Sequence, residues 1–216
     1  FLSLFFIVFR FDERNNEEKK LITVSLGQLN FSLVENENDS TLESKMNYIE
    51  NIIRNNKSNL LIFAENNFPY IISSLKNLDF ISNDLNDNQS VIIGAIKKEN
   101  SSFFNSLILI EKHNMQYFDK IKLVPFGEFL PFRNFLSFLD PIVGRTDFSS
   151  GNQERLIKSS NNLTIIPIIC YEIIFFNDLL NKNNIYSELL VNITNDAWFG
   201  DLSGPYQHFY LSRMRA

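Results

Sequence analysis

The chain has 216 residues with a formal net charge of −5, 44% hydrophobic and 21% charged residues, one Cys and two His. That length is enough to bury a substantial core, and the balance of apolar and charged residues excludes wholesale disorder. One Cys excludes an internal disulfide or a multi-Cys zinc site, two His leave little for a His-rich metal centre, and a mildly acidic balance with no long Lys/Arg run argues against nucleic acid as the main partner.

The first eleven residues, FLSLFFIVFRF, give way abruptly to the charged DERNNEEKK of residues 12–20. About nine apolar residues rise only ~13 Å as a helix, well short of a ~30 Å bilayer core. Two readings fit: the end of a truncated transmembrane helix, or a buried first strand. The lack of an initiator Met and the sudden charge favour the first. Residues 1–11 are then a helix end, 12–20 a polar linker and 21–216 the folded domain. The closing QHFYLSRMRA stops inside a helical pattern with no cap, so a piece incomplete at both ends is expected.

From residue 21 the pattern becomes regular. The β-branched LITVSLGQL (21–29) predicts a strand. Leu42, Met46, Ile49, Ile52 and Ile53 fall at helical spacing and predict a helix over 41–56, with Ser40 as its N-cap. NLLIFA (59–64) predicts a short buried strand, 69–78 a helix, and the Asn/Asp-rich 82–89 a loop. SVIIGAIKK (90–98) and FFNSLILIEK (103–112) predict neighbouring strands. The texture after Lys120 is irregular, with a further loop at 149–155. LTIIPIIC (163–170) predicts a strand, 171–180 a helix, and SELLVNIT (187–194) another strand. Strands alternating with helices indicate an α/β class, and fully apolar strands indicate a sheet covered on both faces.

Several polar residues directly follow apolar strands: Glu65 after LLIFA, Cys170 at the end of TIIPIIC, and Asn195 with Asp196 after LLVNIT. Groups beyond the carboxyl ends of strands line the site in α/β folds. Lys120 opens the irregular segment, and Glu128 follows Gly127 on a tight turn or an ordinary loop. Cys170 is either an inert buried thiol or a nucleophile at a strand-to-helix turn, where a backbone N–H and a helix N-terminus favour the thiolate. A Glu base for Cys faces an unperturbed gap of ~4.2 pKa units, about 5.7 kcal/mol. Desolvation of the Glu and a nearby Lys would narrow it. Taken singly, Glu65 reads as a solvated loop carboxylate and Lys120, like Lys122, as a surface lysine. Taken together with Cys170 they make a coherent set where His is scarce. His208 reads more readily as a hydrogen-bonded structural residue than as a base. Phe126, Phe129, Phe132, Phe135 and Phe138 recur every third residue, which suits a short helix over 132–139 that either packs in the core or walls an acyl chain. No phosphate-cradling glycine motif is present.

Taken in order, AENNFP, FDKIKLVPFGEFLP, IICYEIIF, NITNDAWFG and GPYQHFYLSRMRA resemble the nitrilase (carbon–nitrogen hydrolase) superfamily from about residue 21 to the end. The KLVPFGE run, and CYEIIF where amidases carry an aromatic-Asp-Arg-Phe-Pro pattern, resemble its apolipoprotein N-acyltransferase branch. The resemblance implies an αββα sandwich on the periplasmic side of a multi-helix domain in the bacterial inner membrane. It implies catalytic Glu65, Lys120 and Cys170, supported by Glu128, Tyr171 and Glu172. The implied reaction moves a phospholipid acyl chain, by way of a Cys thioester, to the amino group of the diacylglyceryl-Cys of a lipoprotein, with no metal or cofactor. Two departures stand out: Ala64 precedes Glu65 where Pro is common, and NFSLVENEN (30–38) lacks the Trp often found there. The residues alone also leave open a soluble amidase or nitrilase with the same triad, and a non-catalytic membrane-associated interaction domain with an inert Cys.

Overall fold

The computed structural model describes residues 21–29, 31, 38–132, 147–196 and 203–215. Their apolar runs build two sheets. The first has the order β1 (Val24–Gly27), β2 (Leu60–Phe63), β3 (Ser90–Glu99), β4 (Ser102–Glu111), β5 (Met115–Asp119). Strands β1 to β3 are parallel, whereas β3–β4 and β4–β5 pair antiparallel. The second sheet joins β6 (Ile157–Lys158) antiparallel to β7 (Thr164–Ile169), with β8 (Leu189–Ile193) parallel to β7.

The alternation of side chains along each strand sets the layers. Leu61, Phe63, Val91, Ile93, Ile108 and Ile110 face helices α1 (Asp39–Asn55) and α2 (Asp79–Asp84), where they meet Met46, Ile49, Ile53 and Ile81. Their neighbours Leu60, Ile92, Leu107 and Leu109 point the other way, onto Ile165, Ile169, Val191 and Ile193 of the second sheet. Ile166 and Ile168 on that sheet's outer face are covered by Ile173 and Leu179, from a 3-10 turn (Cys170–Ile174) and helix α3 (Phe176–Leu179). Helix α4 (Gly204–Arg215) ends the described chain. Strands buried on both faces are what continuous apolar runs encode.

Polar ties join the sheets at their ends. At the end of β4, Glu111 accepts hydrogen bonds from the Ser159 hydroxyl (2.7 Å) and the Ser160 N–H and hydroxyl (3.0 and 2.7 Å) of the β6–β7 connection. Burial by itself would raise this carboxyl, but those hydrogen bonds outweigh it and hold the group below its ordinary value. The β3–β4 hairpin turns through only Asn100 and Ser101, with Asn100 at φ 55°, and keeps register from Glu99↔Ser102 to Ser90↔Glu111.

Some expectations are corrected. Asn38, not Ser40, caps α1: its side chain accepts the Thr41 N–H at 2.9 Å, and Ser40 lies inside the first turn. Of residues 69–78, where a helix is expected, only Leu75–Leu78 coil, as a 3-10 turn capped by Ser74. β2 ends at Phe63, so the far half of β3 would have an open edge, and backbone groups there need partners. Ile72 supplies them, its N–H donating to Ile96 O (2.9 Å) and its carbonyl accepting the Lys98 N–H (2.7 Å). The α-helix comes later, at α2, which intrudes on the 82–89 loop; the helix expected over 171–180 is broken into the 3-10 turn and α3. β5 is too mixed in character and β6 too short for periodicity to reveal, and both arise by pairing, with β4 and β7. The membrane-helix and linker expectations, and all but Phe132 of the helix expected over 132–139, lie outside the described residues; among these, no helix is long and apolar enough to cross a membrane.

Gly94 ties the sheet to the turn that carries Glu65. A Cβ there would lie 2.6 Å from the Glu65 Cα and 2.7 Å from the Ala64 carbonyl oxygen, so a side chain has no room. Gly94→Ala is therefore expected to destabilise the protein by about 1–3 kcal/mol, measurable by urea unfolding, and to displace Glu65.

Candidate active site

Four strand ends converge. β2 leads through Ala64 to Glu65, β5 to Lys120, β7 to Cys170 and β8 to Thr194, Asn195 and Asp196. Glu65, Lys120 and Cys170 are all buried, at 3%, 2% and 8% exposure. The Lys120 Nζ lies 2.9 Å from Glu128 Oε2 and 3.7 Å from Glu65 Oε1, so Glu128 is its tighter partner. Asn105 joins the two carboxylates: its Nδ2 donates to Glu65 Oε1 (2.7 Å) and to Glu128 Oε1 (3.0 Å). The Asn195 N–H donates to the other Glu65 oxygen at 3.1 Å, and the Val124 N–H to Glu128 Oε2 at 2.9 Å. Charges this deep persist only when they are paired and hydrogen-bonded.

Electrostatics bind the thiol to the same cluster. Burial raises Glu65 above the ordinary carboxylate range, with Lys120, Asn105 and the Asn195 N–H opposing it. Burial lowers Lys120, but Glu65 and Glu128 outweigh it and hold the ammonium above its usual value. Burial pushes the Cys170 thiol up to about 12, and the Glu65 charge adds to the rise. Lys120, the Thr194 hydroxyl and the Tyr171 N–H pull it down by less. The backbone N–H and helix N-terminus expected to favour the thiolate are thereby outweighed. The turn after Cys170 is a five-residue 3-10 turn rather than a full helix, and desolvation prevails over it. Burial thus raises both Glu65 and Cys170 in the resting site.

Cys170 adopts φ 54°, a left-handed conformation that costs a non-glycine residue of order 1–3 kcal/mol. The elbow is held from behind by Glu172. This fully buried carboxylate accepts the Ile169 N–H (3.0 Å), the Ile121 and Lys122 N–H groups (2.9 and 3.0 Å), and both terminal nitrogens of Arg155 (3.0 and 2.8 Å). It braces the backbone beside Lys120 against the backbone beside Cys170. The Tyr171 ring is partly exposed and lies edge-on to Phe175 at 6.0 Å, and Lys122 pairs with Asp178 at the surface (3.0 Å). Phe126 and Phe132 are exposed, whereas Leu130 is buried.

Asn105, Arg155 and Thr194 escaped the sequence reading. Asn105 carried a usable signal: strand alternation puts it on the same face as Leu107 and Leu109, a polar group in an otherwise apolar inner row. Arg155 sits in a polar loop that gives no sign of burial. A cleft of about 380 Å³ opens on the opposite face of β4 and β5, against Phe104, Tyr117, Asp119 and Gln153. There Asp119 is already engaged by Lys97 (2.9 Å) and Gln153 (2.7 Å). Among the described residues, no group of three His, Cys, Asp or Glu could hold a metal ion.

The carbon–nitrogen hydrolase family model matches residues 23–216. The apolipoprotein N-acyltransferase of Rhizobium rhizogenes is 34% identical over 172 residues, covering 74% of this chain and 32% of that protein. The apolipoprotein N-acyltransferase of Rickettsia prowazekii is 40% identical over 142 residues, covering 62% and 28%. The chain thus spans about a third of the length of these curated relatives. In structure it is similar to a CN-hydrolase superfamily protein from Xanthomonas campestris (TM-score 0.58, 14% identity, 90% of this chain and 69% of that one). It is also similar to an amidase from Nesterenkonia (TM-score 0.53, 13% identity, 86% and 72%). At such identities the likeness speaks for the fold: this chain has the nitrilase-like α/β architecture.

The geometry generates two expected outcomes. Alkylation of Cys170 by iodoacetamide, read by peptide mass spectrometry, is expected to rise steadily between about pH 7 and 10 with no plateau; a plateau near neutrality would mean a resting thiolate. Arg155→Met leaves the Glu172 charge buried and unpaired, and should cost about 3–5 kcal/mol in urea unfolding.

Proposed function

We propose, since this chain belongs to the carbon–nitrogen hydrolase family, that it carries the catalytic centre of an N-acyltransferase that matures lipoproteins. The observation that carries this reading is a buried Glu65–Lys120 pair, joined by the half-buried Glu128 and coupled to Cys170, in a chain 33–40% identical to proteins named apolipoprotein N-acyltransferase. Residues 21–216 are the catalytic domain, and residues 1–11 and 12–20 the end of a transmembrane helix and its linker. The domain faces the periplasm on the bacterial inner membrane.

Glu65 takes the thiol proton as the Cys170 sulfur attacks the ester carbonyl of a phospholipid. Because the thiol rests protonated, proton transfer and attack are coupled, and no free thiolate accumulates. Charge develops on the carbonyl oxygen, where Lys120 and the Tyr171 N–H stabilise it. Glu65 returns the proton to the departing lysophospholipid, leaving the acyl group on sulfur as a thioester. The amino group of a diacylglyceryl-Cys then attacks the thioester, and Glu65 accepts the amine proton. Collapse forms the amide and restores the thiol. Glu128 and Asn105 keep Lys120 and Glu65 in place, and Glu172 supports the elbow from outside the reacting groups.

Full-length protein in vesicles carrying acyl-labelled phospholipid tests this. Cys170→Ala should form no covalent acyl adduct and transfer nothing to lipoprotein; normal transfer by that variant would sink the proposal. Glu65→Gln and Lys120→Met should slow thioester formation by roughly 10²–10⁴-fold. Hydrolysis of small amides without membranes, in place of lipid-dependent transfer, would point to an amidase with the same triad.

A further inference from the structure

His208 has both ring nitrogens engaged beside the elbow. Its Nδ1 lies 2.7 Å from Asp196 Oδ1 and its Nε2 lies 3.1 Å from the carbonyl oxygen of Cys170. The side chain is buried and reaches in from α4. Asp196 Oδ1 also accepts the Thr194 hydroxyl at 3.0 Å, and Thr194 and the Tyr171 N–H are the hydrogen-bonding groups beside the Cys170 sulfur. A ring of contacts therefore runs from the sulfur through Thr194, Asp196 and His208 back to the Cys170 backbone.

The Cys170 carbonyl and the Tyr171 N–H belong to one planar peptide group, so a contact that fixes the first also aims the second. Cys170 holds φ 54°, a conformation that lasts only when its surroundings over-determine it. Glu172 restrains the Ile169 N–H before this residue, and His208 restrains the carbonyl after it.

We propose that His208 is a positioning residue for the nucleophile. Donating from Nε2 to the Cys170 carbonyl, it locks the Cys170–Tyr171 peptide so that the Tyr171 N–H points at the sulfur and at the oxyanion formed during attack. Asp196 accepts from the Nδ1–H and so orients the ring; both partners being acceptors, both ring nitrogens donate. His208 takes no proton from the thiol; that task stays with Glu65. The inference rests on Cys170 being the nucleophile, as in the proposed function.

The test uses full-length protein and two probes independent of the natural substrates: iodoacetamide for the thiol, and a soluble p-nitrophenyl ester for acylation. His208→Gln places an amide N–H near the Nε2 position, whereas His208→Leu keeps bulk without a donor. The Leu variant, shown to be folded by circular dichroism and thermal melting, should react with both probes roughly ten- to a hundredfold more slowly, the loss falling on kcat rather than KM. The Gln variant should recover to within about fivefold of the native rate. If the Leu variant does not fold, His208→Asn, whose shorter amide does not reach the carbonyl, is read in its place. Native rates in the Leu or Asn variant, or equal losses in Gln and Leu, overturn the proposal. A Cys170→Ala protein that reacts with both probes as the native one does would instead overturn Cys170 as nucleophile.

Discussion

The Glu172 carboxylate is the contact on which the site depends. Its hydrogen bonds reach the backbone of Ile169, Ile121 and Lys122 and the guanidinium of Arg155. Two of those backbone partners continue from β5, in the first sheet, and the third ends β7, in the second. Hydrophobic packing between the sheets is strong but has no direction of its own. Glu172 supplies the direction: it fixes how far apart the Lys120 and Cys170 backbones sit. Its ion pair with Arg155 is fully buried, so its worth lies less in net stability than in permitting one arrangement only.

The charge within the site is governed by burial. Two carboxylates and one ammonium occupy the space between the sheets, and the carboxylates are held by hydrogen bonds from Asn105, Val124 and Asn195. Burial, with the Glu65 charge adding to it, keeps the thiol protonated until an electrophile arrives. A cysteine stored in that form resists stray alkylation and oxidation, and its proton has an assigned acceptor in Glu65 when the reaction starts. Reactivity is conditional on the substrate rather than standing.

The fold was legible wherever a strand is buried on both faces. LLIF, SVIIGAI, SLILI and TIIPII read as strands because nothing polar interrupts them, and the residues just beyond LLIF and TIIPII marked where chemistry sits. Glu65 and Cys170 came into view that way and Lys120 as the opening of an irregular segment, although their mutual distances did not. What stayed hidden was decided by tertiary pairing. Ile72 completes the edge of β3 where a helix is expected, and β5 and β6 exist because a partner strand is there. Arg155 could not be recognised as buried from a loop sequence, because its partner Glu172 lies seventeen positions on. A glycine inside a strand is ordinarily a weakness, yet Gly94 is the gap into which the Glu65 turn fits.

The two-residue turn at Asn100 and Ser101 has a reach out of proportion to its size. It sets the pairing of β3 with β4, and thereby which of three successive side chains, Phe104, Asn105 or Ser106, looks toward Glu65. A side-chain period of two means that one inserted residue in this surface turn would present Phe104 in place of the amide. The sheet could remain well packed while the two carboxylates lost the donor between them. A solvent-facing loop that touches none of the reacting groups thus acts as a ruler for the site, and length changes there would be read as lost chemistry rather than lost folding.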